Sequence, residues 1–209
     1  MNRSRFPWGD ERRYNANANR IKEKCGGRIQ KVSVNAGFTC PNRDGSKGIG
    51  GCIYCNNQSF TPSYCVDVED IKGQIDKGIG FLETRYKSPK FYAAYFQSFS
   101  NTYKPLKELR SIYSVALKHE KISGLVVSTR PDCIDDNVLD YLAELSRDYY
   151  VSVEFGIESC YDETLQWINR GHTFDDTKRA ISMTAGRGLD VTGHLLFGLP
   201  GESRQDMLK

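Results

Sequence analysis

Short apolar segments alternate with longer amphipathic segments along most of this chain, and this alternation constrains the fold more than any other feature. The five apolar segments are of strand length and rich in Val, Ile, Phe and Tyr, which favour β-strands. They span residues 29–34, 91–97, 124–129, 150–157 and 191–199. Strands that alternate with helices pair in parallel, because each crossover connection contains a helix. The sequence therefore predicts an α/β fold built on a parallel sheet.

The segments between the predicted strands have the features of helices. In the segment between the first two predicted strands, apolar residues at helical spacing define one face. They are Ile71, Ile75, Ile79 and Leu82. Asp67 is a candidate N-cap for that helix, although three glycines interrupt its pattern. Two later segments begin with pairs typical of a capping box, Ser159 with Asp162 and Thr173 with Asp176.

Composition indicates an ordinary globular chain. It has 209 residues, of which 39% are hydrophobic, enough for one sizeable domain with a continuous core. No apolar run approaches the roughly 20 residues of a membrane helix, and the N-terminus lacks the apolar core of an export signal. Seven cysteines, an odd number, then indicate thiols or metal ligands rather than disulfides. We expect a cytoplasmic protein without a membrane partner.

The basic residues are concentrated at the N-terminus. The first 31 residues contain nine Lys or Arg and three Asp or Glu, whereas the whole chain has a net charge of only +3. The basic side chains before residue 25 are Arg3, Arg5, Arg12, Arg13, Arg20, Lys22 and Lys24. We divide the chain into a basic arm (1–28) and a core domain (29–209). The arm either folds over the domain as a solvated segment or meets a phosphate backbone, and both interpretations stay open.

Three cysteines follow the first predicted strand in the segment TCPNRDGSKGIGGCIYC, residues 39–55. Cys52 and Cys55 have the spacing of a zinc half-site, and Cys40 together with Cys65 or Cys25 would complete four ligands. The eleven-residue gap after Cys40 and the position of the fourth cysteine do not match the usual zinc spacings. A redox dithiol is a second alternative, but the usual strand-to-helix setting is missing. A [4Fe–4S] cluster held by three thiolates fits better, because its fourth iron stays open for an exogenous ligand.

Polar or glycine-rich residues stand at the carboxyl end of every predicted strand, the edge at which parallel α/β folds bind ligands. Polar side chains also interrupt the apolar strands themselves, where apolar residues would pack better. These are Gln97, Glu154, Glu158 and His194.

Together these motifs resemble the radical S-adenosylmethionine (radical SAM) superfamily, in which a three-cysteine loop follows strand one. Its usual spacing is C-x3-C-x2-C, whereas eleven residues separate Cys40 from Cys52 here. Residues 36–55 instead resemble the YhcC-type subgroup, with its pattern AGFTCPNRDGxxGxGGCxxC. Three further segments are similar to the radical SAM domain of the Elongator tRNA-modifying subunit, namely GLVVSTRPD (124–132), NRGHT (169–173) and LFGLPG (196–201).

The resemblance implies a partial parallel (βα)6-type barrel that stops after strand five in this chain, with its C-terminal part missing. It implies that Cys40, Cys52 and Cys55 bind a [4Fe–4S] cluster whose open iron is chelated by S-adenosylmethionine. An electron from a reductant such as flavodoxin or ferredoxin would then cleave this cofactor to a 5′-deoxyadenosyl radical. No catalytic residue that acts on the substrate is assigned.

Cofactor-binding positions are carried over by the motifs. Tyr54 would pack near the adenine, and Arg170 would pair with the methionine carboxylate. Gln97 and Ser98 occupy the place of a Gly-Gly-Glu segment that contacts the methionine amino group, but the glycines are absent here.

Three more positions follow from the same comparison. Ser128 stands where relatives carry a Glu that contacts the cofactor, and Glu158 stands where they carry Gln or Ser at the end of strand four. His194 replaces an Asp that binds ribose hydroxyls in relatives similar to coproporphyrinogen oxidase, although a lone His on a strand also suits a core.

The motifs shared with the Elongator subunit favour an RNA substrate, such as the wobble uridine of a tRNA. A radical SAM enzyme acting on a protein or small metabolite is the alternative, and a zinc-stabilised RNA-binding module without catalysis is a third hypothesis. The other thiols, Cys25, Cys65, Cys133 and Cys160, are interpreted as inert, with a relay role as the alternative.

Overall fold

Five parallel strands form a single sheet in the order β1-β2-β3-β4-β5, so each strand pairs with the next along the chain. The fold is described from a computed structural model, which describes residues 6–66, 70–86 and 89–209. The strands are β1 (Ile29–Val34), β2 (Phe91–Phe96), β3 (Ile122–Thr129), β4 (Tyr150–Glu158) and β5 (Asp190–Leu195). The predicted α/β fold with a parallel sheet is thereby confirmed.

Helices connect the strands and cover one face of the sheet. They are α1 (Asn17–Cys25), α2 (Asn57–Phe60), α3 (Ile71–Arg85), α4 (Leu106–Leu117), α5 (Asp136–Leu145), α6 (Asp162–Trp167) and α7 (Phe174–Thr184). Alternate strand residues such as Val32, Phe96 and Val153 pack against helix residues such as Ile75 and Leu109 in one continuous core. The opposite face carries the remaining strand residues and forms the inside of a curved sheet.

The curvature of the sheet can be read from one ion pair. Lys31 on β1 and Glu154 on β4 contact each other through Nζ and Oε1. Three strand spacings separate β1 from β4, about 14 Å on a flat sheet, and side chains that project perpendicular to such a sheet could not meet. The sheet therefore curls around this pair as a partial barrel.

Helix α3 forms despite its glycines. A Cβ at Gly78 would lie 2.6 Å from Cγ1 of Val32 and 3.0 Å from the ring of Tyr64, so glycine permits the close approach of α3 to β1. The predicted cap Asp67 lies outside the described residues. The helix begins after Asp70, whose side chain accepts a hydrogen bond of 2.7 Å from the amide of Gly73.

Two local predictions were wrong and one is confirmed. The fifth strand ends at Leu195, because the chain turns away from the sheet before Gly198, which has φ +82°. Helix α6 is not capped by Ser159, because its N-cap is Tyr161 and makes no side-chain capping bond. Thr173 does form the predicted capping box at the start of α7.

The described part of the basic arm folds back onto the sheet. Helix α1 lies at the amino end of the strands, where Arg20 Nη2 and Lys24 Nζ contact Oδ1 of Asp190 at 2.6 and 2.8 Å. Asp190 is the first residue of β5 and is 3% exposed. Arg3 and Arg5 lie outside the described residues. Arg20 and Lys24 are thus paired with the core domain, and Arg12 is paired with Asp10 within the arm.

None of the helices described here is long and apolar enough to cross a membrane.

Candidate cofactor and active site

The cysteine loop leaves β1 and folds back on itself through its own backbone. The amides of Arg43 and Lys47 donate to the carbonyls of Cys40 and Pro41, each at 2.8 Å. Gly51 precedes the second cysteine with φ +87°, and a Cβ there would lie 2.8 Å from Nε of Arg43. Glycine is therefore required both by the backbone conformation and by the packing of Arg43.

The segment after α6 holds this loop in place. The amide of Ile53 donates to the carbonyl of Ile168 at 3.1 Å, and Asn169 Nδ2 donates to the carbonyl of Gly51 at 2.9 Å. Asn42 Nδ2 returns a bond to the carbonyl of Asn169. The NRGHT motif thus positions the cysteine loop over the sheet, although the two segments lie far apart in the sequence.

All ten residues named as site residues from the sequence line one cavity of about 420 Å³. It opens at the carboxyl ends of the strands, the edge predicted for ligand binding. The ten are Cys40, Cys52, Tyr54, Cys55, Gln97, Ser98, Ser128, Glu158, Arg170 and His194. Their convergence is a property of the fold; the individual roles assigned to them stay predictions.

Two buried arginines contact the cysteine sulfurs. Arg170 Nη1 lies 3.5 Å from Cys52 Sγ, and Arg130 Nη1 lies 4.0 Å from Cys40 Sγ. Arg130 also forms a two-point ion pair with Asp132, with both nitrogen–oxygen distances 2.9 Å. Burial alone would lower the pKa of Arg130, but Asp132 outweighs burial and raises it, so the guanidinium stays charged.

Tyr54 and Glu158 lie on the same side of the cavity as Arg170. Glu158 has φ +69° after an irregularity in β4, and such strain in a non-glycine residue often marks a functional position. Its Oε1 is 3.5 Å from Arg170 Nη2. Burial raises the pKa of Tyr54, with Arg170 opposing the change, so its phenol stays protonated.

Gln97 and Ser98 follow β2 directly and reach the cavity from the strand end. Ser98 Oγ shares a hydrogen bond of 3.0 Å with Thr61 Oγ1. Ser128 Oγ donates to Glu154 Oε2 at 3.2 Å. Ser128 therefore belongs to the polar interior of the barrel as well as to the cavity wall.

Glu154 is the centre of that polar interior. Its side chain is 4% exposed and contacts Lys31 through Oε1 and His194 Nε2 through Oε2, the latter at 3.1 Å. Burial alone would raise the pKa of Glu154, but hydrogen bonds from His194 and Lys31 outweigh it and lower the pKa to about 2. The same bond raises the pKa of His194, against the effect of burial. His194, 45% exposed, is thus a cavity residue rather than part of a core.

The sequence analysis singled out Glu154 without assigning it a role, and it did not assign Arg130, Lys31 or Arg43 to the site. Glu154 was visible as a charged residue inside an apolar strand, and Arg130 lies within one of the motifs. Lys31 carried no comparable signal, because a Lys on a strand is ordinary until its partner on another strand is known.

The described residues do not assemble the four-ligand zinc site considered from the sequence. The described residues contain no group of three or more His, Cys, Asp or Glu side chains that converges on one ion, which a zinc site would need. Cluster ligands bind separate irons and need not converge in this way. Cys65 Sγ instead donates to the carbonyl of Ser33 at 3.3 Å, and Cys25 belongs to α1 at the other end of the strands. None of the seven cysteines forms a disulfide.

Comparisons with known proteins agree with this geometry. The chain is 38% identical over 190 residues to protein YhcC of Escherichia coli K12, covering 90% of this chain and 60% of that protein. It is 35% identical over 100 residues to a tRNA uridine(34) acetyltransferase of Methanocaldococcus infernus, covering 48% of this chain and 18% of that enzyme. The chain therefore spans about three fifths of the length of its YhcC relative.

A solved structure supports the fold independently. The archaeal Elp3 of Methanocaldococcus infernus superposes with a TM-score of 0.57 over 85% of this chain and 40% of that one, at 19% identity. The family model of the radical SAM superfamily matches residues 37–209, from just before the cysteine loop through β5 and beyond. The chain belongs to the radical SAM superfamily of enzymes.

Proposed function

We propose that this chain binds a [4Fe–4S] cluster through Cys40, Cys52 and Cys55 and cleaves S-adenosylmethionine reductively. The observation that carries the proposal is the convergence of these three thiols with the other predicted cofactor residues on one cavity. When bound, the cluster supplies the electron that breaks a carbon–sulfur bond of S-adenosylmethionine and so yields the 5′-deoxyadenosyl radical.

The chain's own residues bind and orient the cofactor. The ring of Tyr54 offers an apolar wall for the adenine, and the charged pair of Arg170 and Glu158 stands beside Cys52 for the methionine carboxylate and amino groups. His194, held by Glu154, presents a hydrogen-bond donor to hydroxyl groups of the cofactor.

Anaerobic reconstitution of the chain tests the proposal. We expect a brown protein with about four irons per chain, which forms 5′-deoxyadenosine when S-adenosylmethionine and a reductant are added. Replacing Cys40, Cys52 or Cys55 by Ser should abolish cluster binding. Cys160→Ser is the matched control, because Cys160 is exposed and lies outside the cavity. A colourless zinc protein, or full cluster content in a Cys52→Ser variant, would contradict the proposal.

We further propose that the substrate is RNA, with a uridine at the wobble position of tRNA as the target. Support comes from the similarity to the tRNA uridine(34) acetyltransferase and from the fold shared with Elp3. The basic arm supports RNA binding less than its charge indicated, because Arg20 and Lys24 are paired with Asp190. A flavodoxin- or ferredoxin-type protein would supply the electron.

Nucleoside analysis of total tRNA tests this substrate. Mass spectrometry of digested tRNA from cells with and without the gene should show a modified uridine that depends on the gene and on Cys52. An unchanged nucleoside profile would count against tRNA and favour a protein or a small metabolite as the substrate.

A further inference from the structure

Two guanidinium groups are buried against the sulfur atoms of the cysteine loop. Arg170 is 7% exposed and Arg130 2% exposed, and their Nη1 atoms lie 3.5 Å from Cys52 Sγ and 4.0 Å from Cys40 Sγ respectively. Asn42 Nδ2 adds a third donor, 3.7 Å from Cys52 Sγ. Two of the three sulfurs thus accept N–H groups in a region with little access to water.

Arg170 is held in this position by its remaining donors. Nη2 donates to the carbonyl of Gly156 at 2.7 Å, and Nε donates to His172 Nε2 at 2.9 Å. Burial and the charge of Arg170 lower the pKa of His172 to about 4, so this imidazole is neutral and accepts the bond. A Cβ at Gly156 would lie 2.6 Å from Arg170 Nη2, so glycine is needed for this contact. Because Nη2 and Nε are both occupied, Nη1 is left directed at Cys52 Sγ.

Arg130 is held in a similar way. Asp132 binds it at two points, and Nη1 also donates to the carbonyl of Arg170 at 2.7 Å. Lys47 from the cysteine loop contacts the other side of Asp132. The carboxylate therefore joins the loop to the arginine that faces Cys40.

We propose that Arg130 and Arg170 raise the reduction potential of the cluster held by Cys40, Cys52 and Cys55. Reduction adds a negative charge to the cluster and its thiolates, and buried N–H donors with positive charge stabilise that state more than the oxidised one. The inference rests on the proposed function, but it assigns these arginines a role that is exerted before S-adenosylmethionine binds. In this role both arginines act through the sulfurs, and the proposed contact of Arg170 with the methionine carboxylate is separate from it.

A potentiometric titration of the reconstituted full chain tests the inference. Dithionite serves as the reductant, the reduced cluster is followed by electron paramagnetic resonance, and S-adenosylmethionine is left out so that carboxylate pairing by Arg170 plays no part. Arg170→Gln and Arg170→Lys should both shift the midpoint potential to more negative values, the Gln variant further. Lysine keeps the charge, but one ammonium cannot hold Gly156, His172 and Cys52 together. Arg130→Lys should shift the potential in the same direction.

Lys47→Gln is the control, because Lys47 is a cation of the same network that contacts Asp132 but no sulfur. Its potential should shift much less than the potentials of the arginine variants, because the 42% exposed ammonium of Lys47 is screened by water. Resonance Raman spectra give a second readout, in which the loss of N–H donors raises the iron–thiolate stretching frequencies of the arginine variants.

The outcomes separate the two proposals. Suppose that the unchanged chain and both lysine variants each hold a full cluster and have equal potentials and equal Raman spectra. That outcome would overturn the role of the arginines and leave the proposed function intact. If Arg170→Gln assembles no cluster, the two lysine variants decide the result. Failure of the unchanged chain to assemble a cluster would overturn the proposed function and this inference with it.

Discussion

Replacing Glu154 by Gln removes one negative charge from the inside of the barrel and preserves the shape of the side chain. The carboxylate is 4% exposed and contacts Lys31, His194 and Ser128. Lys31 and His194 are 42% and 45% exposed, so water can hydrate both cations once the carboxylate is gone. The substitution therefore measures the ionic network without leaving an unpaired buried charge.

The size of the effect follows from the pKa of Glu154. Although burial would raise it, hydrogen bonds from His194 and Lys31 lower this pKa from 4.5 to about 2. Since one pKa unit corresponds to about 1.4 kcal/mol, the ionised carboxylate contributes on the order of 3 kcal/mol to the free energy of unfolding. Glu154→Gln should lose about that amount.

The loss should depend on pH in a defined way. A lowered acid pKa adds stability above pH 4.5 that disappears as the pH falls towards about 2. The pKa of His194 is raised from 6.5, so its share of the stability is complete below pH 6.5 and disappears as the pH rises through the raised value. The difference between the two proteins should therefore be largest between about pH 4.5 and 6.5 and decrease on both sides.

Urea unfolding followed by circular dichroism between about pH 4 and 9 measures this difference. Glu108→Gln is the matched control, because Glu108 is 53% exposed in an i,i+4 pair with Lys104 and should change stability by less than about 1 kcal/mol. A loss for Glu154→Gln that is independent of pH, or no larger than the control, would refute the reasoning.

Three further predictions concern packing and the arm. In α3, Gly78→Ala should destabilise the protein by about 1–3 kcal/mol, because the new Cβ meets β1. Gly80 faces open space, so Gly80→Ala should stabilise the protein by up to about 1 kcal/mol. Thermal unfolding of the two variants measures this difference. Asp190→Asn should speed tryptic cleavage within α1, because the helix loses its carboxylate anchor; an unchanged cleavage rate would contradict that anchoring. Gly156→Ala should reduce cofactor cleavage several-fold by displacing Arg170, measured as 5′-deoxyadenosine formed per cluster.

The sequence analysis placed the strands well because β-branched and aromatic runs signal buried strands. It extended β5 too far, because the apolar residues after Leu195 continue the pattern while the chain turns before Gly198. Phe197 in that stretch is 70% exposed, so its apolar character does not reflect a place in the sheet. A local pattern cannot distinguish a buried apolar residue from one at the rim of a cavity.

The sequence by itself determined which polar residues stand at the carboxyl end of each strand and that the cysteine loop follows the first strand. In a parallel sheet the carboxyl ends of all strands lie along one edge, so residues such as Gln97, Glu158 and the three cysteines had to lie along that edge once the alternation of strands and helices was established. Only the tertiary structure decided which charges pair inside the barrel. Lys31 and Glu154 lie 123 residues apart, and Arg130 and Cys40 lie 90 apart. Such pairs depend on how far the sheet curls and where each loop returns, and these are set by packing across the whole domain rather than by any local run of residues.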